Sequence, residues 1–255
     1  MSLVGAKVLR KEDPRLLSGT GTFVDDLAPP RCAFASFVMS TEAHARLVSI
    51  DVRAALQIDG VLAVLTAADF ADYPDLPPGL PDLERPVLAR NVVRFVGEPV
   101  AVVIADDRYL AADAAQAVEI DYEPLPVVAT VADATAPGAE LLFKHHNSNV
   151  ATVVPMLDDL ERELDRCYGR AKLHIVNQRC TAAPIEPVAV LADWGVEGLT
   201  VWATFQAPHH LRNFLSTWLD IPQTTCRVIA PDVGGGFGAK INWYPELFVA
   251  PVASK

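Results

Sequence analysis

Thr225-Cys226-Arg227-Val228-Ile229-Ala230-Pro231-Asp232-Val233-Gly234-Gly235-Gly236-Phe237-Gly238-Ala239-Lys240 runs an apolar strand directly into four glycines within five positions. Glycine tolerates positive φ and has no Cβ, so such a loop lets backbone N–H groups approach a ligand closely. A simple tight turn between strands is the plainer reading of a glycine cluster, so the loop has to be tested against specific motifs. A phosphate-binding P-loop needs Gly-Lys followed by Ser or Thr, whereas Ala239 separates Gly238 from Lys240 and Ile241 follows. Gly234, Gly236 and Ala239 satisfy the dinucleotide fingerprint G-x-G-x-x-A, which also needs a helix launched from the loop and an acidic residue about 20 positions on. Pro245 interrupts that helix, and the sequence ends too early to hold that acidic residue.

Upstream of the loop, Leu199 to Phe205 reads as a strand, followed by Gln206-Ala207-Pro208-His209 and a helix from Leu211 to Leu219 opened near Pro208. Pro187 to Ala192 reads as another strand, and Leu157, Leu160 and Leu164 mark a helix. Downstream, Glu246 to Lys255 reads as a helix interrupted by Pro251. Before this unit, residues 131–150, with Pro137, Gly138 and Asn147-Ser148-Asn149, form the best linker.

The first half carries strands at Ala33–Val38, Leu47–Val52 and Val61–Leu65, and the proline-rich stretch from Tyr73 to Pro86 reads as a surface excursion. Val100–Ile104 is an unbroken apolar run of the kind buried on both faces. Asp106-Asp107 then caps a helix reaching about Val118, with Leu110, Ala111, Ala114, Ala117 and Val118 on one face, and Glu119–Tyr122 is a further strand. Strands and helices interleave without a strict repeat, which predicts an α+β class rather than a regular doubly wound sheet.

Composition narrows the function. The 255 residues are 51% hydrophobic and 21% charged, as in ordinary globular protein. A formal charge of −11 disfavours nucleic acid and anionic lipid as partners. Cys32, Cys167, Cys180 and Cys226 lie far apart with no C-x-x-C pair, so spacing shows no zinc or iron–sulfur site, and buried free thiols are expected. Without a signal peptide or an apolar run long enough to span a bilayer, the expectation is a soluble, cytoplasmic chain. The adjacent pairs His145-His146 and His209-His210 read as structural or solvent-facing, Lys240 as a solvated lysine, and Glu98 as a carboxylate ending a turn.

Several motifs together resemble the large subunits of the molybdenum hydroxylases, the family of xanthine dehydrogenase, aldehyde oxidase and aerobic carbon monoxide dehydrogenase. Arg227–Lys240 is similar to the family's molybdopterin-contacting segment, and Phe205–His209 to its Thr-Gln-x-Pro-His stretch, at the expected separation. Glu12–Gly19, Phe23–Asp26, Ala43–Arg46, Arg94–Val103 and Tyr122–Pro126 are similar to the family's opening domain. The fold implied is an α/β hammerhead domain followed by a truncated α+β molybdopterin-binding domain. The expected limits are an N-terminal segment at 1–16, the hammerhead at 17–130, a linker at 131–150 and the second domain at 151–255.

The same resemblance implies the chemistry. It assigns cofactor contacts to Gln206, Gly235, Gly236, Phe237 and Gly238. The Gln206 amide would donate toward an oxo ligand of the metal, the loop amides would face the cofactor, and Phe237 would be an apolar wall. It assigns this chain no catalytic residue and no metal ligand, because the family's catalytic glutamate lies beyond the position of Lys255. Glu186 is similar to a family Glu-Pro, but Val188 stands where an arginine or asparagine is common, and no role is carried over. The implied activity is hydroxylation of an aldehyde or N-heterocycle carbon, or CO oxidation, at a molybdenum-molybdopterin centre. Implied partners are the remainder of the large subunit, an iron–sulfur small subunit carrying 2Fe–2S clusters and an FAD-binding medium subunit. On this reading the chain is an N-terminal piece, inactive alone; the alternative is a non-catalytic remnant acting as a scaffold or interaction module.

Overall fold

The structure, a computed structural model, describes residues 4–76, 83, 85–154 and 160–255. Its organising strand is β5 (Pro99–Ala105), the apolar run that was expected to be buried on both sides. Val102 and Ile104 feed the largest core, Val103 a second, and Val100 a third. Strands β1 (Phe34–Met39) and β3 (Val61–Thr66) flank it antiparallel, giving the order β1-β5-β3. A second antiparallel sheet has the order β4-β2-β6, with β2 at Ala45–Asp51, β4 at Val92–Val93 and β6 at Glu119–Pro124.

Helices α2 (Arg53–Leu56) and α3 (Arg108–Ala115) connect strands of these sheets, and a short α1 (Asp13–Leu17) precedes them. The start of α3 is fixed by Asp107, whose carboxylate accepts from the N–H groups of Tyr109 (2.9 Å) and Leu110 (3.1 Å). It ends at Ala115, earlier than expected, and Val118 packs instead as part of the lead into β6. The expected linker is partly structured. It holds α4 (Val131–Thr135), closed by a reciprocal Thr130–Asp133 capping box. Helix α5 (Leu160–Asp165) follows; Leu157, expected in it, lies outside the described residues.

The second unit is a three-stranded sheet, β7 (Val190–Gly195), β8 (Gly198–Ala203) and β9 (Cys226–Ile229), in that order. β7 and β8 form a hairpin; β8 and β9 are parallel, joined through α6 (Pro208–Trp218), whose Leu211, Leu215 and Trp218 face the core. Helix α7 (Glu246–Ala253) packs on β7 with Pro251 inside it, so the helix is not interrupted there. One expected strand is shifted along the chain and another is cut short. β7 begins at Val190 because Pro187 has no N–H to give a ladder, and the Ala189 N–H goes to the Thr204 hydroxyl (2.9 Å). β9 stops at Ile229 because Pro231 has no N–H and Asp232 N–H turns to Thr22 O (3.0 Å).

The stretch from Tyr73 to Pro86 corrects a further expectation. Rather than a surface excursion, its described residues join the two units. Leu76 is fully buried and bonds Arg85 O, Tyr73 stacks on Trp218 at 4.6 Å, and Trp218 Nε1 donates to Pro74 O at 2.7 Å. The main core therefore runs without a break from Phe70 and Val102 of the first unit to Leu211 and Phe248 of the second. All four cysteines are free, but only Cys226 is buried; Cys167 and Cys180 are exposed, against the expectation of burial. Among the described residues no helix is long and apolar enough to cross a membrane.

Candidate functional site

The glycine loop lies between β9 and α7, and Gln206 stands at the junction of β8 and α6. The parallel pairing of β8 with β9 brings these two connections to one end of the sheet. Gln206 Oε1 accepts from Gly238 N–H (3.0 Å), and Gln206 N–H donates to Lys240 O (2.8 Å). A backbone N–H opposite the side chain decides its orientation: the oxygen faces the loop and the amide nitrogen is turned away. Among the described residues that nitrogen makes no hydrogen bond, so its two donors are available.

The loop winds through positive φ at Gly235 (96°), Phe237 (50°) and Gly238 (85°). Left-handed residues among right-handed or extended ones are the backbone element from which anion-receiving N–H nests are built. Among the described residues the N–H groups of Gly235, Gly236 and Phe237 have no protein acceptor, whereas those of Gly234 and Gly238 are bonded. Gly236 cannot be replaced quietly, because a Cβ there would lie 2.7 Å from Gln206 Oε1. Phe237 is 78% exposed, and its ring leans back over Gly235.

Two residues that the sequence reading set aside prove central. Lys240, read as solvated, is fully buried. Its ammonium donates to Glu186 Oε2 at 3.0 Å, and the same oxygen accepts from Gly234 N–H at 2.6 Å. Glu186 Oε1 is buried without a partner among the described residues. The pairing is invisible to local pattern because the partners are 54 positions apart. The available signal was physical: a lysine in an apolar, glycine-rich turn needs a carboxylate, and Glu186 lies in a segment already similar to a family motif.

A cleft of about 540 Å³ opens beside the loop, between Asp232-Val233-Gly234 and an N-terminal strap that supplies Arg10, Leu16, Gly19, Gly21, Phe23 and Asp26. Asp232 ties the strap down, forming an ion pair with Arg15 and accepting Thr22 N–H at 2.8 Å. The Arg15 hydrogen bond, reinforced by Thr22, holds the Asp232 carboxyl down at about 2. Elsewhere, Glu98 is buried and accepts Arg94 N–H; burial raises its pKa above the usual carboxylate value. His146 Nε2 bonds Val150 O, His145 meets the Phe143 ring edge-on, and His209 and His210 are exposed at the start of α6, so neither histidine pair converges on one point. Among the described residues no cluster of His, Cys, Asp or Glu could hold a metal ion.

The site thus gathers Gln206, Gly236 and Gly238 in direct contact, with Gly235 beneath Phe237 and Phe237 turned to solvent. What it offers chemically is a set of neutral N–H donors, three from backbone and two from one carboxamide, beside an exposed aromatic ring. Comparison with known proteins bears on what that set receives. Residues 18–126 match the aldehyde oxidase and xanthine dehydrogenase a/b hammerhead domain, and residues 142–255 match the molybdopterin cofactor-binding domain. The chain is 38% identical, over 98% of its length and 33% of the relative's, to the carbon monoxide dehydrogenase large chain of Afipia carboxidovorans. It is 34% identical, over 100% of its length and 32% of the relative's, to the nicotine 6-hydroxylase large subunit of Paenarthrobacter nicotinovorans. Quinoline 2-oxidoreductase from Pseudomonas putida 86 superposes with a TM-score of 0.89 at 34% identity, over 98% of this chain and 33% of that one. The chain spans about a third of the length of the curated relatives it matches.

Proposed function

The chain belongs to the molybdenum hydroxylase large subunits, and from that premise we propose that Gln206 and the loop Gly235–Gly238 form part of a molybdopterin site in an oxidoreductase. The observation carrying this reading is the donor set itself. Gly235, Gly236 and Phe237 present N–H groups without protein acceptors, and Gly238 fixes Gln206 so that its amide nitrogen is the free end. Such donors fit the oxo and pterin acceptors of the cofactor. They bring hydrogen bonds without a charge, and in a site shielded from water these are strong. When bound, the molybdenum cofactor supplies the oxygen transfer and electron uptake of the reaction.

The residues of this chain bind and orient. Gln206 donates from its carboxamide toward the metal's ligand sphere, the loop amides cradle the pterin, and Phe237 supplies an apolar face that becomes covered when the site is complete. The chain's limits of use are a hammerhead at 17–130 and a cofactor domain from 151, joined by 131–150. An iron–sulfur subunit with 2Fe–2S clusters and an FAD subunit would carry electrons away, in a cytoplasm that suits four free thiols. The substrate class is an aldehyde or N-heterocycle carbon, or CO. The test is molybdenum and pterin content of the purified protein, alone and co-expressed with its partner subunits. Stoichiometric molybdenum on co-expression is the expected result; a folded, assembled protein free of both molybdenum and pterin overturns the proposal.

A further inference from the structure

We propose that Glu186 and Lys240 are the positioning pair of the glycine loop, a single carboxylate oxygen holding both its ends so that the amides of Gly235, Gly236 and Phe237 stay presented. The proposal rests on the cofactor reading only for what the presented amides receive. Four glycines in five positions give the free loop a large conformational freedom, so something outside it must select one conformer. Glu186 Oε2 meets that need at two points: Gly234 N–H at the entry (2.6 Å) and the Lys240 ammonium at the exit (3.0 Å). Glu186 N–H also reaches Gly234 O (3.4 Å), which fixes the entry from both sides.

The exit is coupled onward. Lys240 O accepts Gln206 N–H, and Gln206 Oε1 in turn accepts Gly238 N–H. A change at position 186 is therefore transmitted to Gly238, which Glu186 does not touch. Burial makes the pair obligatory rather than decorative, because Lys240 has no access to water and an uncompensated buried charge is strongly unfavourable. The arrangement is also directional: the residue at 186 must accept a hydrogen bond from Gly234, which a lysine cannot do.

That asymmetry gives the test, amide hydrogen exchange by NMR on the full chain, with molybdenum content of the co-expressed protein as a second readout. In the wild type, Gly234 and Gly238 should be protected and Gly235, Gly236 and Phe237 should not. E186A should speed exchange at both Gly234 and Gly238 by about tenfold or more, with β5 amides unchanged and molybdenum retention reduced. The charge swap E186K/K240E keeps an opposite pair but should stay fast at Gly234. The neutral double variant E186Q/K240M, whose glutamine still accepts from Gly234 but has no partner at 240, should restore protection at Gly234 and leave Gly238 fast. Wild-type protection at Gly234 in the swap, or wild-type protection at Gly238 in the folded neutral variant, overturns the proposal. If the wild type itself takes up no molybdenum, the cofactor reading fails and the exchange data still judge the pair.

Discussion

Gly236 leaves a space that Gln206 fills. An alanine there would set its methyl 2.7 Å from Gln206 Oε1 and 2.8 Å from Cδ, which only a rotation of the glutamine relieves. The side chain is flexible and exposed, so the fold should lose no more than about 1 kcal/mol. The cost falls on orientation: Oε1 leaves Gly238 N–H, and the amide nitrogen is no longer held outward. Gly236→Ala should therefore unfold within a few degrees of the wild type while the co-expressed protein retains little molybdenum. Unchanged molybdenum content would mean that the Gly238 hydrogen bond does not orient Gln206. At this scale the glycines and Gln206 were readable because their types and spacing carry the motif. Lys240 was not, since its burial comes from a partner far off in sequence, and the same lysine beside the same loop would be solvated without Glu186.

Among the elements, β1, β2, β3, β5 and α6 were readable within a few residues, because alternation, an unbroken apolar run or helical spacing with Pro208 at the start announces each. Ends were misread where a proline or a tertiary hydrogen bond replaces the ladder, as at Pro187, Pro231 and Asp232. The role of the stretch after Tyr73 was unreadable for another reason. Prolines exclude regular structure but say nothing of whether an irregular chain is buried. Here Tyr73 and the Pro74 carbonyl are held by Trp218, and Arg85 donates to Trp243 O at 2.8 Å. Trp218→Ala removes the stacked ring, its edge contact with Phe248 at 5.1 Å and the indole hydrogen bond together. A loss of about 3–5 kcal/mol is expected by denaturant unfolding, with accelerated amide exchange at Leu76, whose N–H bonds Arg85 O. A loss under about 1 kcal/mol would show that this stretch is not fastened through α6.

For the molecule as a whole, the shared core makes the two units one cooperative body, and its charge makes that body sensitive to pH. Two groups of carboxylates act in opposite directions. Asp232, bonded by Arg15, and Asp51, bonded by Arg53, lie at about 2, below their unfolded value of about 3.9. Their contribution is present above about pH 4 and is lost as the pH falls toward 2, so it is constant near neutrality. Glu98 and Glu246 are raised, in both cases chiefly by burial. The folded state then holds their protons more tightly than the unfolded chain. The penalty is absent below their unfolded pKa of about 4.3 and complete above the folded one, so stability declines as the pH rises through that window. Repulsion within a chain of net charge −11 and pI near 4.9 adds to the same slope. Thermal unfolding should therefore occur at a higher temperature near pH 4.5, at the lower end of that window, than near pH 8, at about 0.1 M salt. The double variant Glu98→Gln/Glu246→Gln should flatten that dependence, because its amide at 98 still accepts Arg94 N–H and neither side chain ionises. A wild type with equal midpoints at the two pH values, or a double variant keeping the full difference, would assign the slope to charges other than these two buried glutamates.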